Sequence, residues 1–348
     1  MKKQLLYCAA ASLVLAACSN NETEELNSSQ PKNAVAIRIG QNVEGMTARA
    51  AIENGDQVKA TVLTATYSSS YNASVWQNFT PVLVDVLDES SNNLTTPANI
   101  STATFTAGTG QAVSLNPILY YYPSDGTAVT AVAPAGTISG NKVVMKVTDG
   151  EQDVMFAPVQ QVASKPNDQN AADGSPVTLT FAHKTTQLNF AFKLSATPND
   201  SWKDKAISVK SITILNASVP LSVSIPDGTV TFKTPGENLD VPGIVSGNSI
   251  TTDAKKVGSS VMIDASSDIQ LDIVLTVGDK EVAFFGIPVM KKSEAGGATE
   301  KLTTVIGSSH LITLTVTEPV KPSDGIEITT QATVTPWTSG QEGSGELK

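Results

Sequence analysis

Leu188-Asn189-Phe190-Ala191-Phe192-Lys193-Leu194 places an apolar residue at every second position over seven residues. Successive side chains of an extended strand point to opposite faces, so this spacing sets Leu188, Phe190, Phe192 and Leu194 on one side of a half-buried strand. The same period recurs to either side. Val177, Leu179 and Phe181 alternate with threonines, Val219, Leu221, Val223 and Ile225 alternate with Pro220, Ser222 and Ser224, and Ile269, Leu271, Ile273, Leu275 and Val277 repeat the pattern. No stretch of a dozen residues carries a 3.6-residue period, and Thr, Val and Ser abound where Leu, Glu and Lys would favour helix. The fold class is all-β.

Turn signals punctuate these runs at Asp125-Gly126, Asp149-Gly150, Asp173-Gly174, Asp227-Gly228 and Asp324-Gly325. Asp-Gly tolerates the positive φ of tight turns, so each predicts a strand reversal, and many short strands with regular turns predict β-sandwiches. A polar interruption from Gln160 to Ser175 and the His183-Lys184-Thr185-Thr186 stretch set an expected domain boundary near residue 185. The expected units are an N-terminal sandwich over 34–184 and a C-terminal sandwich over 185–348. Pro220 inside an alternating run predicts an edge strand or a bulge, because proline cannot donate to a ladder.

The 348 residues suffice for two such cores, and the 16% charged and 40% hydrophobic fractions exclude a disordered chain. A formal charge of −10 opposes extended contact with nucleic acid phosphates, so no nucleic acid partner is expected. The two cysteines, Cys8 and Cys18, both precede residue 20, leaving the body without a disulfide framework or a thiolate metal site.

Lys2 and Lys3 precede an apolar run from Leu5 to Ala17, too short for a bilayer span and shaped as a secretory signal over 1–17. Leu15-Ala16-Ala17-Cys18 resembles the bacterial lipobox, after which Cys18 becomes the acylated first residue; a plain signal peptide cut after a small residue is the other reading. Acyl chains on Cys18 would hold the chain on a membrane. Residues 18–33, with Glu22, Glu24 and Glu25, read as an acidic flexible tether.

Chemistry-bearing motifs are sparse. His183 and His310 have no metal-ligand spacing and read as edge or interdomain histidines, while Gly108-Thr109-Gly110 lacks the Lys-Ser of a phosphate loop. Asp264 and Asp268 form no EF-hand. Neither catalytic residues, nor a metal, nor a cofactor is expected, and the chain reads as no enzyme; the other reading is a glycan-active or carbohydrate-binding sandwich in which two carboxylates distant in sequence meet in space. Tyr120-Tyr121-Tyr122-Pro123 is the densest aromatic cluster, either a binding platform or strand-end packing; Trp76 and Trp202 suit a surface or a core edge. The arginines are more informative, since only Arg38 and Arg49 occur among 23 basic residues. An arginine-specific protease would find no site beyond Arg49, and cleavage between Arg49 and Ala50 would remove the preceding strand, in which Val35, Ile37 and Ile39 share one face. At the other end Ile326, Ile328, Ala332 and Val334 have strand-like spacing; the segment reads either as the last strand of its own domain or as a strand donated to a neighbour.

The lipobox at Cys18, the strand before Arg49, Tyr121-Tyr122-Pro123-Ser124-Asp125-Gly126, Asp153-Val154-Met155-Phe156-Ala157, Leu179-Thr180-Phe181-Ala182-His183 and Val334-Thr335-Pro336-Trp337 follow one another along nearly the whole chain. In that order they resemble the fimbrillin or Mfa-like proteins, which build type V pili of anaerobic Gram-negative bacteria. The resemblance implies two tandem transthyretin-like β-sandwich domains behind a lipoprotein signal peptide, and removal of the first strand by an arginine-specific protease. It further implies assembly with other pilin subunits by donor-strand exchange, from an outer-membrane lipoprotein precursor into cell-surface fimbriae serving adhesion or biofilm formation. The competing expectation is a monomeric surface lipoprotein, or a pilus tip subunit, that binds host glycan or protein.

Overall fold

The computed structural model describes residues 36–44, 56–67, 74–81, 83–87, 93–97, 99–107, 113–121, 126–162, 177–197, 202–291, 300–318 and 327–336. In chain order its first strands are β1 (Ile39–Val43), β2 (Gln57–Tyr67), β3 (Leu83–Leu87), β4 (Asn93–Pro97), β5 (Ile100–Thr106), β6 (Ser114–Asn116), β7 (Gly126–Ala133), β8 (Thr137–Ser139), β9 (Lys142–Val144), β10 (Met155–Val162) and β11 (Val177–His183). There follow β12 (Thr186–Leu194), β13 (Ile207–Ala217), β14 (Pro220–Ser224), β15 (Val230–Phe232), β16 (Glu237–Asp240), β17 (Lys255–Ile263), β18 (Gln270–Val277), β19 (Lys280–Pro288), β20 (Ser308–Thr317) and β21 (Glu327–Pro336). Among the described residues one helix occurs, α1, the four residues Ser74–Gln77. The chain is all-β.

Alternation becomes packing most directly in the later strands. Two four-stranded sheets, ordered β17-β12-β20-β21 and β16-β13-β18-β19, supply one shared core. Leu188, Phe190 and Phe192 of β12 and Ile312 and Leu314 of β20 join Ile212, Ile214, Ile273 and Leu275 from the other sheet, all buried. The opposite face of β12 departs from simple alternation, because Gln187 and Asn189 are buried as well. A polar ladder satisfies Asn189 and half of Gln187: Ser309 Oγ donates to Gln187 Oε1 at 2.6 Å, Asn189 Nδ2 donates to Ser309 Oγ at 3.1 Å, and Ser260 Oγ donates to Asn189 Oδ1 at 2.7 Å, while Gln187 Nε2 has no partner among the described residues.

Earlier strands form a seven-stranded sheet, β1-β11-β10-β7-β2-β5-β6, which curls until its ends meet. Val113, just before β6, donates its N–H to Ile39 O at 2.7 Å, and Ile37 N–H donates to Leu119 O at 2.8 Å. Phe105 and Phe181 stack inside the curl with centroids 5.3 Å apart. A third cluster lies under α1, where Trp76, stacked on Phe79 at 5.8 Å, packs with Leu63, Val132 and Phe156.

That third cluster also takes in Val223 and Ile225. The reason is the sheet β15-β14-β9-β8, in which Ser222, Val223 and Ser224 pair antiparallel with Val144, Val143 and Lys142. Strands from both sides of residue 185 therefore share one sheet. Pro220 opens β14 beside a register shift against β15, so the missing donor is absorbed by a bulge, and β14 is an inner strand and no edge. Asp227-Gly228 makes the expected β14–β15 reversal, with Gly228 at φ 70°. Asp149-Gly150 instead leads from β9 to β10 in different sheets, a crossover where a hairpin is predicted. Asp125, Asp173-Gly174 and Asp324-Gly325 lie outside the described residues.

Candidate assembly edges

The N-terminal edge begins with Ile37 and Ile39, whose spacing turns both side chains inward between the exposed Ala36 and Arg38. The regular strand, however, is Ile39–Val43 and not Val35–Ile39, so the pairing unit lies further along the chain than the apolar spacing alone predicts. Its ladder is parallel, Ile39 opposite Val177 through Val43 opposite Phe181. Hydrogen bonds from Val177 N–H to Arg38 O at 2.8 Å and from Glu44 N–H to Phe181 O at 2.9 Å extend the contact at both ends. Ile37, Ile39 and Val43 enter the core with Val177, Leu179, Phe181 and Leu119. Since β1 meets Val113 on its other side and Ile37, just before it, meets Leu119, this stretch is the piece that closes the curl.

Withdrawing β1 would uncover the β11 backbone and three apolar sockets together. Unpaired strand groups and bare apolar surface are both costly in water, so the vacated groove would favour a replacement strand. Cys18, Arg49, Ala50 and Val35 lie outside the described residues. The structure thus brings Ile37 and Ile39 together and adds Gln41 and Val43, which sequence reading missed. Continuing the two-residue period past Ile39 reaches both, but the polar Gly40-Gln41-Asn42 hides the row.

At the C-terminal edge, β21 pairs antiparallel with β20 along its whole length, from Ser308 opposite Pro336 to Thr317 opposite Glu327. In the single chain this segment is the last strand of its own sheet. Ala332 is buried in the core with Ile328 packed against it, and Val334 stands opposite His310 in the register. Ile326 lies outside the described residues. On its outer side β21 is held by the chain after β19, with Ala332 N–H donating to Met290 O at 2.9 Å and Thr330 Oγ1 accepting from Met290 N–H at 3.0 Å.

His183 Nδ1 lies 2.9 Å from Asp153 Oδ1, both side chains buried. His310 is not an edge histidine; it is fully buried in β20, neither ring nitrogen has a hydrogen-bond partner among the described residues, and burial lowers its pKa to about 4. Tyr121 is buried in the N-terminal core, which raises its phenol pKa, so this tyrosine packs at a strand end. Trp76 and Trp202 are buried too. Hydrogen bonds from Lys301 and Gln270 hold the Asp268 carboxyl below its ordinary pKa. A cleft of about 970 Å³ opens beside β17, lined by Asp56, Glu151, Asn248, Lys255 and Lys256 among others.

Comparison with known proteins follows the fold. A protein from Bacteroides uniformis assigned to cell adhesion superposes with a TM-score of 0.51 at 15% identity, covering 89% of this chain and 100% of its own. A fimbrial protein from Bacteroides vulgatus (TM-score 0.47, 13% identity, 88% and 100% covered) and a fimbrilin from Porphyromonas gingivalis (0.43, 12%, 88% and 99%) are also similar. The sequence matches none of the curated proteins it was compared with. Residues 48–337, most of the chain, match the family model described as Fimbrillin-like, and the chain belongs to that family.

Proposed function

We propose that this chain is the precursor of a pilin subunit of cell-surface fimbriae, with a role in adhesion or biofilm formation and no enzymatic activity. Export follows the lipoprotein route, with acylated Cys18 holding the precursor on outer-membrane lipid. An arginine-specific protease cuts between Arg49 and Ala50 and frees β1. The groove is refilled by β21 of another subunit, whose main chain pairs with the vacated edge while alternate side chains enter the sockets. Head-to-tail donation does not close on itself, so repetition yields a fibre. Two sandwich units, 34–184 and 185–348, serve as its body.

The observation that carries this reading is the position of β1: a short terminal strand that closes the N-terminal curl, inserts Ile37, Ile39 and Val43 into the core, and precedes the last arginine of the sequence. The experiment is digestion of purified precursor with an arginine-specific protease, followed by size analysis. Oligomer ladders from the wild-type chain and their absence from Arg49→Ala are expected. A trimmed product that stays monomeric and binds glycan would replace the pilin reading with the monomeric surface lipoprotein.

A further inference from the structure

The strands at the two edges carry the same interrupted row. Along β1 and the residues leading into it the inward side chains run Ile37, Ile39, Gln41, Val43, and Gln41 is only 2% exposed. Its amide Nε2 donates to the Thr106 carbonyl of β5 at 2.8 Å, while its Oε1 has no hydrogen-bond partner among the described residues. A buried, half-satisfied amide costs stability that an aliphatic side chain would not. Single buried polar residues are best accounted for as register keys, because they penalise every alignment that leaves them against an apolar wall. In β21 the inward row runs Ile328, Thr330, Ala332, and again the middle member is polar and buried, at 6% exposure. Its hydroxyl donates to Pro288 O at 2.8 Å.

We propose that Thr330 of β21 from a second copy of this chain takes the place of Gln41 in the vacated groove and so fixes the register of strand exchange. The inference rests on the strand-exchange reading above and adds the residue that sets the alignment. Sliding the incoming strand by one residue would turn its whole apolar row to solvent. Sliding it by two would press Thr330 into the socket of Ile39 or Val43. With Thr330 at Gln41's place, Ile328 and Ala332 fall on the places of Ile39 and Val43 if the strand runs as β1 does, and on the same two in reverse order if it runs the other way. Either direction therefore selects one register. The threonine hydroxyl stops two bonds short of the glutamine amide nitrogen, a gap that one bridging water spans to the Thr106 carbonyl.

The test uses the full chain cleaved at Arg49 and labelled peptides of residues 327–336 and 36–44, with affinity read by fluorescence anisotropy. Thr330→Val in the 327–336 peptide is expected to weaken binding roughly five- to tenfold, the loss typical of one hydrogen bond. Thr330→Gln, which reaches the carbonyl without a water, is expected to bind more tightly than wild type, and Thr329→Val, on the outward face, to leave affinity unchanged. Equal affinity of the Thr330→Val and wild-type peptides would overturn the register assignment while leaving strand exchange intact. A cleaved chain that takes up residues 36–44 but not 327–336, or takes up neither, would instead overturn the strand-exchange reading and the register with it. Using peptides keeps Thr330 of the subunit itself in place, so loss of fold cannot imitate loss of binding.

Discussion

Gly228 packs against the ring of Phe156: a methyl group on its α-carbon would stand 2.2 Å from the ring's Cδ1. The glycine sits in the β14–β15 turn and the phenylalanine in β10, so the contact fastens the shared four-stranded sheet to the seven-stranded one. Gly228 also needs its φ of 70°, which a side chain disfavours. Gly228→Ala is expected to cost about 2–4 kcal/mol from backbone strain and overpacking together, as read by urea unfolding.

His310 makes stability depend on acidity. Its folded pKa of about 4 lies below its ordinary 6.5, so the unfolded chain takes up a proton first as pH falls. The stabilisation is fully present above pH 6.5 and is lost between 6.5 and 4, amounting to about 3 kcal/mol. Unfolding free energies from urea titrations at pH 7 and pH 4.5 should differ by most of that amount more in wild type than in His310→Leu.

Ile39 is 1% exposed where β1 meets β11. Ile39→Ala is expected to destabilise by about 2–4 kcal/mol through lost burial and a residual cavity. The effect should be local first. Hydrogen exchange at the Val177 amide, bonded to Arg38 O, is expected to accelerate more than at amides of β13 or β18.

Asp153 and His183 form a buried contact between the chain entering β10 and the end of β11. Asp153→Ala leaves the imidazole without this acceptor, and a loss of about 2–4 kcal/mol is expected by thermal or urea unfolding. Replacing both residues by apolar ones should recover part of it, as a double-mutant cycle would show.

Alternation revealed β11, β12 and β18 in the sequence because each buries one apolar row against a continuous core, and side-chain period is a local property. The β9–β14 pairing was invisible for the complementary reason: β8 and β9 are three residues each, too short to carry a period, and their partner lies some 80 residues away in the chain. Of the edge and interdomain readings of His310, burial removes the edge one: its neighbours Ser308 and Ser309 look like surface in the sequence, whereas both are buried and Ser309 stands opposite Gln187 in the β12–β20 ladder. For the candidate edges, Ile37, Ile39, Ile328 and Ala332 were legible from spacing. Gln41 and Thr330 were not, since nothing local tells a buried polar side chain from an exposed one.

The three residue pairs between β9 and β14 also decide how the molecule answers a pull. Two globules on a string would swing apart at their connector and leave each globule unloaded. Here a tug on one end loads that shared ladder, together with the Met262 N–H to Gly150 O bond, before the other end can lag behind, so cross-stitching contributes to stiffness along the chain.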